Sequence, residues 1–341
     1  MRIAVVSPSF AAPGAFPAVH DQAMERLAAL GFEPVEYPTT RTLGASPADR
    51  ARDLTAAFAD PSIGAILAVV GGDDQIRVIG HLDDDVIRSR PKPFLGYSDN
   101  TNLHNHLWHM GVPSFHGGSS QVHLGPGPGI DPEHQASLLA ALRDGGRLEI
   151  TPVAESEDFG VDWADPKALT SFGHRRAARP WLWRGPRRSV TGPSWGGCFE
   201  VIDQLAMAGR LPALDDLHGH VVLLEASETL TPPDQIMRRV RALGEWGLFG
   251  VAAAVVVASP PVSSHVTVPS PDQQDADWQA QADVVLDQLA HYNPDLPAVF
   301  GVPFGHTRPQ WILPYGGLLT VDSAARQIIA DYEVPYHRAG E

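Results

Sequence analysis

The chain has 341 residues, 43% of them hydrophobic and 19% charged, with a net charge of -15. That is enough apolar material for one large or two ordinary domains, too little charge for a disordered chain, and the wrong sign for a phosphate backbone, so nucleic acid is not an expected partner. Cys198 is the single cysteine, which excludes an internal disulfide and a cysteine-based zinc site and fits a reducing, cytoplasmic setting.

The first apolar run, residues 3–6, is too short for a secretory segment and reads as a buried first strand. "DQAMERLAALGF" has apolar residues at helical spacing, with Gly31 as its stop. "EPVEYP" follows as a short strand. "SPADRARDLTAAFAD" opens a helix with Ser46 as cap and Pro47 at its first position. "IGAILAVVGG" and "PFLGYS" read as strands buried on both faces. The alternation predicts an α/β fold with a parallel sheet over residues 1–150. Residues 151–195 break the rhythm and read as a linker or irregular loop, rich in Trp and Arg. Alternation resumes over 196–341, with strands at "HVVLLEASE", "VAAAVVVAS" and "PAVFGVPFGH" and helices between them. The longest apolar run, "GLFGVAAAVVVAS", is too short to span a bilayer, so no membrane partner is expected. A terminal hairpin is expected around "YGG".

Three places could carry chemistry. Ser98 stands in "GYSD", at the corner between a strand and a helix. It could cap the helix, or it could be a nucleophile on a turn whose next N–H groups hold an oxyanion. "GYSD" lacks the second glycine of the G-x-S-x-G elbow. Glu225 ends the apolar run of "VVLLEASE", with Glu228 as the rival carboxylate, and His306 follows a Gly-rich bend in "FGVPFGHT". A serine needs a base within reach and the base needs an orienting acid, so these three residue types belong together. His104, His106, His109, His116 and His123 raise a metal site as a rival. Only His106 and His109 share a helix face, no H-E-x-x-H occurs, and no metal is expected. The acidic run at 83–85 reads as a solvated helix end.

"SPSF", "VVGGDD", "FLGYSDNTNLH", "VVLLEASE" and "PFGHTRPQWILPYG" together resemble the LD-carboxypeptidase family of serine peptidases, in particular its microcin C immunity branch. The resemblance implies Ser98 as nucleophile, His306 as general base and acid, and Glu225 as the group that orients His306. It implies an oxyanion hole of backbone N–H groups, from Asp99 and from Gly72, with Gly71 as the rival. It implies an N-terminal parallel-sheet α/β domain bearing the nucleophile elbow, and a smaller C-terminal α/β domain with a mixed sheet or barrel-like core bringing Glu225 and His306. Such enzymes use no cofactor and are usually homodimers. The family releases a D-amino acid from murein peptides; the immunity branch cleaves peptidyl-nucleotide antibiotics. A small peptide or peptidyl-nucleotide is therefore the expected substrate, with murein tetrapeptide and a non-catalytic binding role as alternatives. In the immunity branch, aromatic residues of the connecting loop stack on the nucleobase. Here that region offers Trp163, Trp181 and Trp183, with Trp195 beyond, and six arginines at 175, 176, 179, 184, 187 and 188. Relatives often carry Asn at the position of Cys198, which reads as a small buried residue, and a small or apolar residue at that of Asn100.

Overall fold

The computed structural model describes residues 1–333. The alternation of the first third becomes a six-stranded sheet. In spatial order its strands are Leu313–Tyr315, Ser114–His116, Phe94–Gly96, Ile63–Ala68, Arg2–Val6 and Glu33–Glu36. Every neighbouring pair is parallel except Leu313–Tyr315, which runs antiparallel to Ser114–His116. The helices form where the sequence signals placed them. Pro17–Ala29 stops before Gly31, which takes φ +90, and Ser46 caps Pro47–Ala59 by accepting from the Asp49 N–H. Asp83 caps Asp84–Ser89 in the same way, accepting from the Val86 N–H.

A second sheet has eight strands and is mixed. Its order is Arg147–Ile150, Gln327–Asp331, Leu318–Asp322, Ser189–Cys198, Val221–Glu225, Ala254–Ala258, Ala298–Val302 and Leu182–Arg184. The pairs from Ser189–Cys198 through to Ala298–Val302 are parallel, and the flanking pairs are antiparallel. Apolar residues of both sheets meet in one continuous core, where Leu67, Leu95 and Phe115 share a cluster with Leu223, Val256 and Phe304. Burial on this scale locks the two layers together. Among the described residues, no helix is long and apolar enough to cross a membrane.

Two expectations are corrected. The hairpin does not turn at "YGG": Leu318–Asp322 pairs with Gln327–Asp331 around residues 323–326, while Leu313–Tyr315 before the glycines joins the other sheet. Gly316, at φ +76, lets the chain cross between sheets, and a strand signal says nothing about which sheet receives the strand. Residues 151–195 are not an unstructured linker throughout. Leu182–Arg184 edges the second sheet, and Ser189–Cys198 runs through its middle. That strand was obscured by its own Pro193 and by its need for glycine at positions 196 and 197. A Cβ on Gly196 would lie 1.9 Å from the Leu223 carbonyl oxygen, and one on Gly197 would lie 2.5 Å from the Thr101 hydroxyl. Close backbone approach replaces the apolar alternation that marks ordinary strands.

Candidate active site

Ser98 sits just past the C-terminal end of strand Phe94–Gly96, opening a short 3-10 turn that leads into helix Thr101–His109. Its φ is +62, a left-handed conformation that a residue with a Cβ seldom adopts. Strain of this kind persists only where surrounding contacts over-determine it, and a strained strand-to-helix turn is how a hydroxyl is projected from a sheet edge. The contacts are visible. A Cβ on Gly96 would meet the Asn100 side chain at 2.8 Å, so Gly96 makes room for Asn100 beneath the turn. Asn100 donates to the Tyr97 carbonyl at 3.0 Å and accepts from Gln75 Nε2 at 2.8 Å. Asn100 thus occupies the place of the missing second glycine and ties the elbow down. His104 completes the underside, with its ring nitrogens 2.7 Å from the Gly96 carbonyl and 2.7 Å from the Ser114 hydroxyl. Burial, with His116 nearby, lowers its pKa to about 3, so it serves as a neutral strut.

The "SPSF" and "VVGGDD" segments meet the elbow from the side. The buried Asp99 carboxylate accepts from Ser9 Oγ at 2.5 Å, from the Gln75 N–H at 2.9 Å and from Asn102 Nδ2 at 3.0 Å. Burial raises its pKa, and these donors oppose the rise. The Phe10 N–H donates to the Gly71 carbonyl at 3.1 Å, which fixes the orientation of the peptide linking Gly71 to Gly72. A Cβ on Gly71 would lie 2.9 Å from Ser98 Oγ and 3.3 Å from the Asp99 nitrogen. One on Gly72 would instead meet Ser9 Oγ at 2.1 Å. Both glycines are therefore demanded by close packing rather than by turning alone.

Glu225 and His306 come from the second sheet, both at the C-terminal ends of parallel strands. Glu225 ends Val221–Glu225, and His306 stands four residues beyond Ala298–Val302. A Cβ on Gly305 would be 2.9 Å from Glu225 Oε2, so the glycine lets the bend press His306 onto the acid. His306 Nδ1 lies 2.5 Å from Glu225 Oε2. His116 Nε2 approaches the other oxygen at 3.6 Å, too long for a hydrogen bond. Glu228 also reaches the imidazole, on the opposite nitrogen, with Oε2 3.1 Å from Nε2. The two carboxylates weighed as rivals thus both touch His306. Burial alone would raise the Glu225 carboxyl, but the charge of His306, with His116 beside it, holds it down to about 2. Burial likewise opposes a charged imidazole, but Glu225 and Glu228 outweigh it and push His306 up to about 10.

Comparison with known proteins accords with this architecture. Residues 3–117 match the family model for the LD-carboxypeptidase N-terminal domain, and residues 191–321 match that for the LD-carboxypeptidase C-terminal domain. The chain belongs to the LD-carboxypeptidase family. It is a serine-type carboxypeptidase. Over 277 residues it is 22% identical to the microcin C7 self-immunity protein MccF of Escherichia coli, covering 80% of this chain and 75% of that one. Over 284 residues it is 24% identical to a Bacillus subtilis protein named "Probable murein peptide carboxypeptidase", covering 83% of this chain and 76% of that one. The fold is that of an MccF-like protein from Streptococcus pneumoniae solved in complex with AMP, with a TM-score of 0.83 at 24% identity, covering 97% of this chain and 98% of that one.

In this LD-carboxypeptidase, Ser98 and His306 line one cavity of about 830 Å³. Gly71, Gly72, Tyr97 and Glu228 line it too. Tyr97 is buried against the imidazole, with ring centroids 4.9 Å apart. Four aromatic side chains line it as well, those of Phe10, Phe16, Phe159 and Trp163. Of the four tryptophans named from sequence, Trp163 alone is in the wall. Trp195 is wholly buried, and Trp181 and Trp183 pack against the core. None of the six arginines lines the cavity. Arg175 pairs with Asp131 at 2.8 Å, Arg179 with Asp275 at 2.7 Å, and Arg176 with Asp275 at 3.6 Å. Among the described residues, the arginine that does line it is Arg308, two residues past His306. Its backbone exchanges both hydrogen bonds with Glu157, and its guanidinium donates to Asp131 at 2.7 Å. Arg308 therefore ties the loop bearing Phe159 and Trp163 to the segment bearing His306. The "GHTRP" run held the signal, but neither partner of the arginine is near it in sequence.

The clustered histidines disperse to separate tasks. His106 faces Asp84 at 2.8 Å, His109 faces the Arg210 carbonyl at 3.1 Å, and His123 stacks on His134 with centroids 4.5 Å apart. Cys198 is buried and donates to Glu200 Oε2 at 3.1 Å, and burial raises its thiol pKa well above the usual value.

One consequence can be tested directly. Gly71→Ala is expected to leave the melting temperature within a few degrees while lowering kcat on an amide substrate about 100-fold, because the new methyl displaces the Ser98 hydroxyl by roughly an ångström. A variant with wild-type kcat would show that this approach is irrelevant to turnover.

Proposed function

We propose that this carboxypeptidase hydrolyses an amide bond in a peptidyl-nucleotide or aminoacyl-nucleotide of the microcin C type, through Ser98, His306 and Glu225. The observation that carries the reading is the 2.5 Å contact between His306 Nδ1 and Glu225 Oε2, with His306 and Ser98 lining the same cavity. In this reading the lobe of residues 1–150 supplies the nucleophile and the lobe of 196–341 supplies its base and acid.

The Ser98 hydroxyl gives its proton to His306 Nε2 as its oxygen bonds to the substrate carbonyl carbon. The carbonyl oxygen becomes an oxyanion, held by the N–H groups of Asp99 and Gly72. The pinned Gly71 carbonyl supports Gly72 over Gly71 as the donor, because a trans peptide points its N–H away from its carbonyl. His306 returns the proton to the leaving amine, which departs with the electrons of the C–N bond. A water molecule then loses a proton to Nε2 as it attacks the acyl ester; the Ser98 oxygen leaves with the electrons of the C–O bond and takes that proton back from Nε2, which releases the acid and restores the hydroxyl. Glu225 stabilises the imidazolium formed in each half.

The aromatic wall of Phe10, Phe16, Phe159 and Trp163 supports a substrate carrying a flat ring. Related folds bind such compounds: one MccF structure holds aspartyl sulfamoyl adenosine and another glutamyl sulfamoyl guanosine. The Bacillus relative named for murein peptides supports the second reading, release of a terminal D-amino acid from a murein tetrapeptide. Incubating the purified protein with an aminoacyl sulfamoyl adenosine and with the tetrapeptide, and following both by mass spectrometry, separates them. Turnover of the nucleoside is the expected result. Cleavage of the tetrapeptide alone transfers the assignment to murein, and folded protein inert on both sinks the hydrolytic reading.

A further inference from the structure

In the geometry above, both nitrogens of His306 face carboxylates: Nδ1 faces Glu225 at 2.5 Å and Nε2 faces Glu228 at 3.1 Å. An imidazole flanked by a carboxylate at each nitrogen is held in its charged form, with a hydrogen on both nitrogens and no lone pair to take a serine proton. Glu228 therefore stands in the way of the step proposed for Ser98. It is also able to leave. Its side chain is 66% exposed, on the loop between strand Val221–Glu225 and helix Pro233–Trp246. The loop backbone is anchored independently: Ser227, Thr229 and Thr231 link their hydroxyls at 2.8 and 3.3 Å, and Thr231 donates to Glu200 at 2.9 Å. Movement of Glu228 is thus a rotation of one exposed side chain.

The charge of the cavity indicates what draws it away. Asp73, Glu157, Asp158, Asp162 and Glu228 line the wall, against Arg308 as the only Lys or Arg among the described lining residues. Arg308 is already engaged by Asp131 and by the Val122 and Pro126 carbonyls. Asp158 is engaged by the Val262 N–H and the Ser263 hydroxyl, and Glu157 lies 3.6 Å from Arg175. An anionic substrate group would meet carboxylates with no free guanidinium among the described residues to receive it. A cationic group would meet Glu228 beside the reacting serine.

We propose that Glu228 is the specificity-determining residue of this site, blocking Nε2 of His306 until a side-chain ammonium or guanidinium of the substrate's acyl part pairs with the carboxylate and frees the nitrogen. This rests on the hydrolytic reading of Ser98 and His306 and names its substrate class: amides whose acyl part carries a positively charged side chain. The other groups facing His306 do not substitute for Glu228. Glu225 holds the other nitrogen, Tyr97 presents a ring whose hydroxyl burial keeps protonated, and burial keeps His123 uncharged. His116 lies beyond Glu225, and Arg308, two residues on, is turned to Asp131.

Two measurements test it on the full chain, in wild type and in Glu228→Gln. The first is the NMR titration of the His306 imidazole. The midpoint is expected to fall by at least about one pH unit in the variant, the size of effect one adjacent opposite charge produces. An unchanged midpoint overturns the hold on Nε2. The second compares kcat/KM for lysyl and glutamyl sulfamoyl adenosine. Wild type is expected to prefer the lysyl compound by about tenfold or more, and the variant to lose that preference and to move the acid limb of its profile to lower pH. Equal rates in wild type, or a preference retained in the variant, overturn the specificity role. If wild type cleaves neither compound, the hydrolytic reading fails, and the titration still decides whether Glu228 holds the imidazole.

Discussion

Ser98→Ala is expected to lower kcat by roughly 10⁴- to 10⁶-fold, the range in which loss of a serine nucleophile falls when its base and oxyanion donors remain. The fold should survive. Alanine fills less space than serine, and the elbow is held by Asn100, His104 and Asp99 rather than by the Ser98 hydroxyl. The positive φ of residue 98 costs alanine about what it costs serine, so stability should shift by less than about 1 kcal/mol. Residual turnover near the wild-type rate, with circular dichroism and melting unchanged, would show that chemistry proceeds from another group. Substrate affinity in the variant should be close to that of wild type, so the loss belongs to kcat rather than to binding.

Glu225→Gln is expected to cost about 10⁴-fold in kcat. The amide has nearly the same shape as the acid, but it carries no charge to stabilise the imidazolium. Its NH₂ can also turn toward Nδ1, which would leave the hydrogen on Nε2, the wrong nitrogen for taking a serine proton. The pH dependence distinguishes this role from a merely structural one. Burial opposes the charge of His306, and Glu225 is the largest influence that overcomes it, so removing the carboxylate lowers the imidazole pKa. The acid limb of kcat/KM in the free enzyme then moves to lower pH, even as the plateau collapses.

Stability should follow the same pair with a definite sign. Glu225 is depressed from 4.5 to about 2, so its share is present above pH 4.5 and lost as pH falls through about 2. His306 is raised from 6.5 to about 10, so its share is present below pH 6.5 and lost as pH rises through about 10. These are two views of one interaction, at full strength between about pH 4.5 and 6.5. Denaturant melts of wild type and Glu225→Gln should therefore differ most near pH 5.5 and least above pH 10. A gap that is constant with pH would assign the loss to packing alone.

Much of this site was legible before any coordinates. The glycine in "GYSD", the acid ending "VVLLE" and the histidine in "PFGHT" each announce a strand end by local pattern, and strand ends of a parallel sheet are where reactive groups gather. The caps and stops of helices Pro17–Ala29 and Pro47–Ala59 were equally local, since a cap bonds only to its own first turn. The strand Ser189–Cys198 escaped because its neighbours demand glycine where a strand ordinarily shows an apolar side chain, and that demand comes from Leu223 and Thr101. The sheet that receives Leu313–Tyr315 escaped because strand pairing is chosen by distant edges.

What the chain determined by itself is the inventory and its local settings: a hydroxyl on a corner, two carboxylates three residues apart, an imidazole after a glycine bend, a cluster of aromatics and a cluster of arginines. Only the tertiary structure decided their partners. It set Glu225 and Glu228 on opposite nitrogens of one ring, sent Arg175, Arg176 and Arg179 to ion pairs outside the cavity wall, and put Trp163 but not Trp195 in that wall. The physical reason is range. Turns, caps and periodicity act over a few bonds and leave their mark in sequence order, whereas electrostatics and packing act through space between segments whose separation along the chain encodes nothing about their distance.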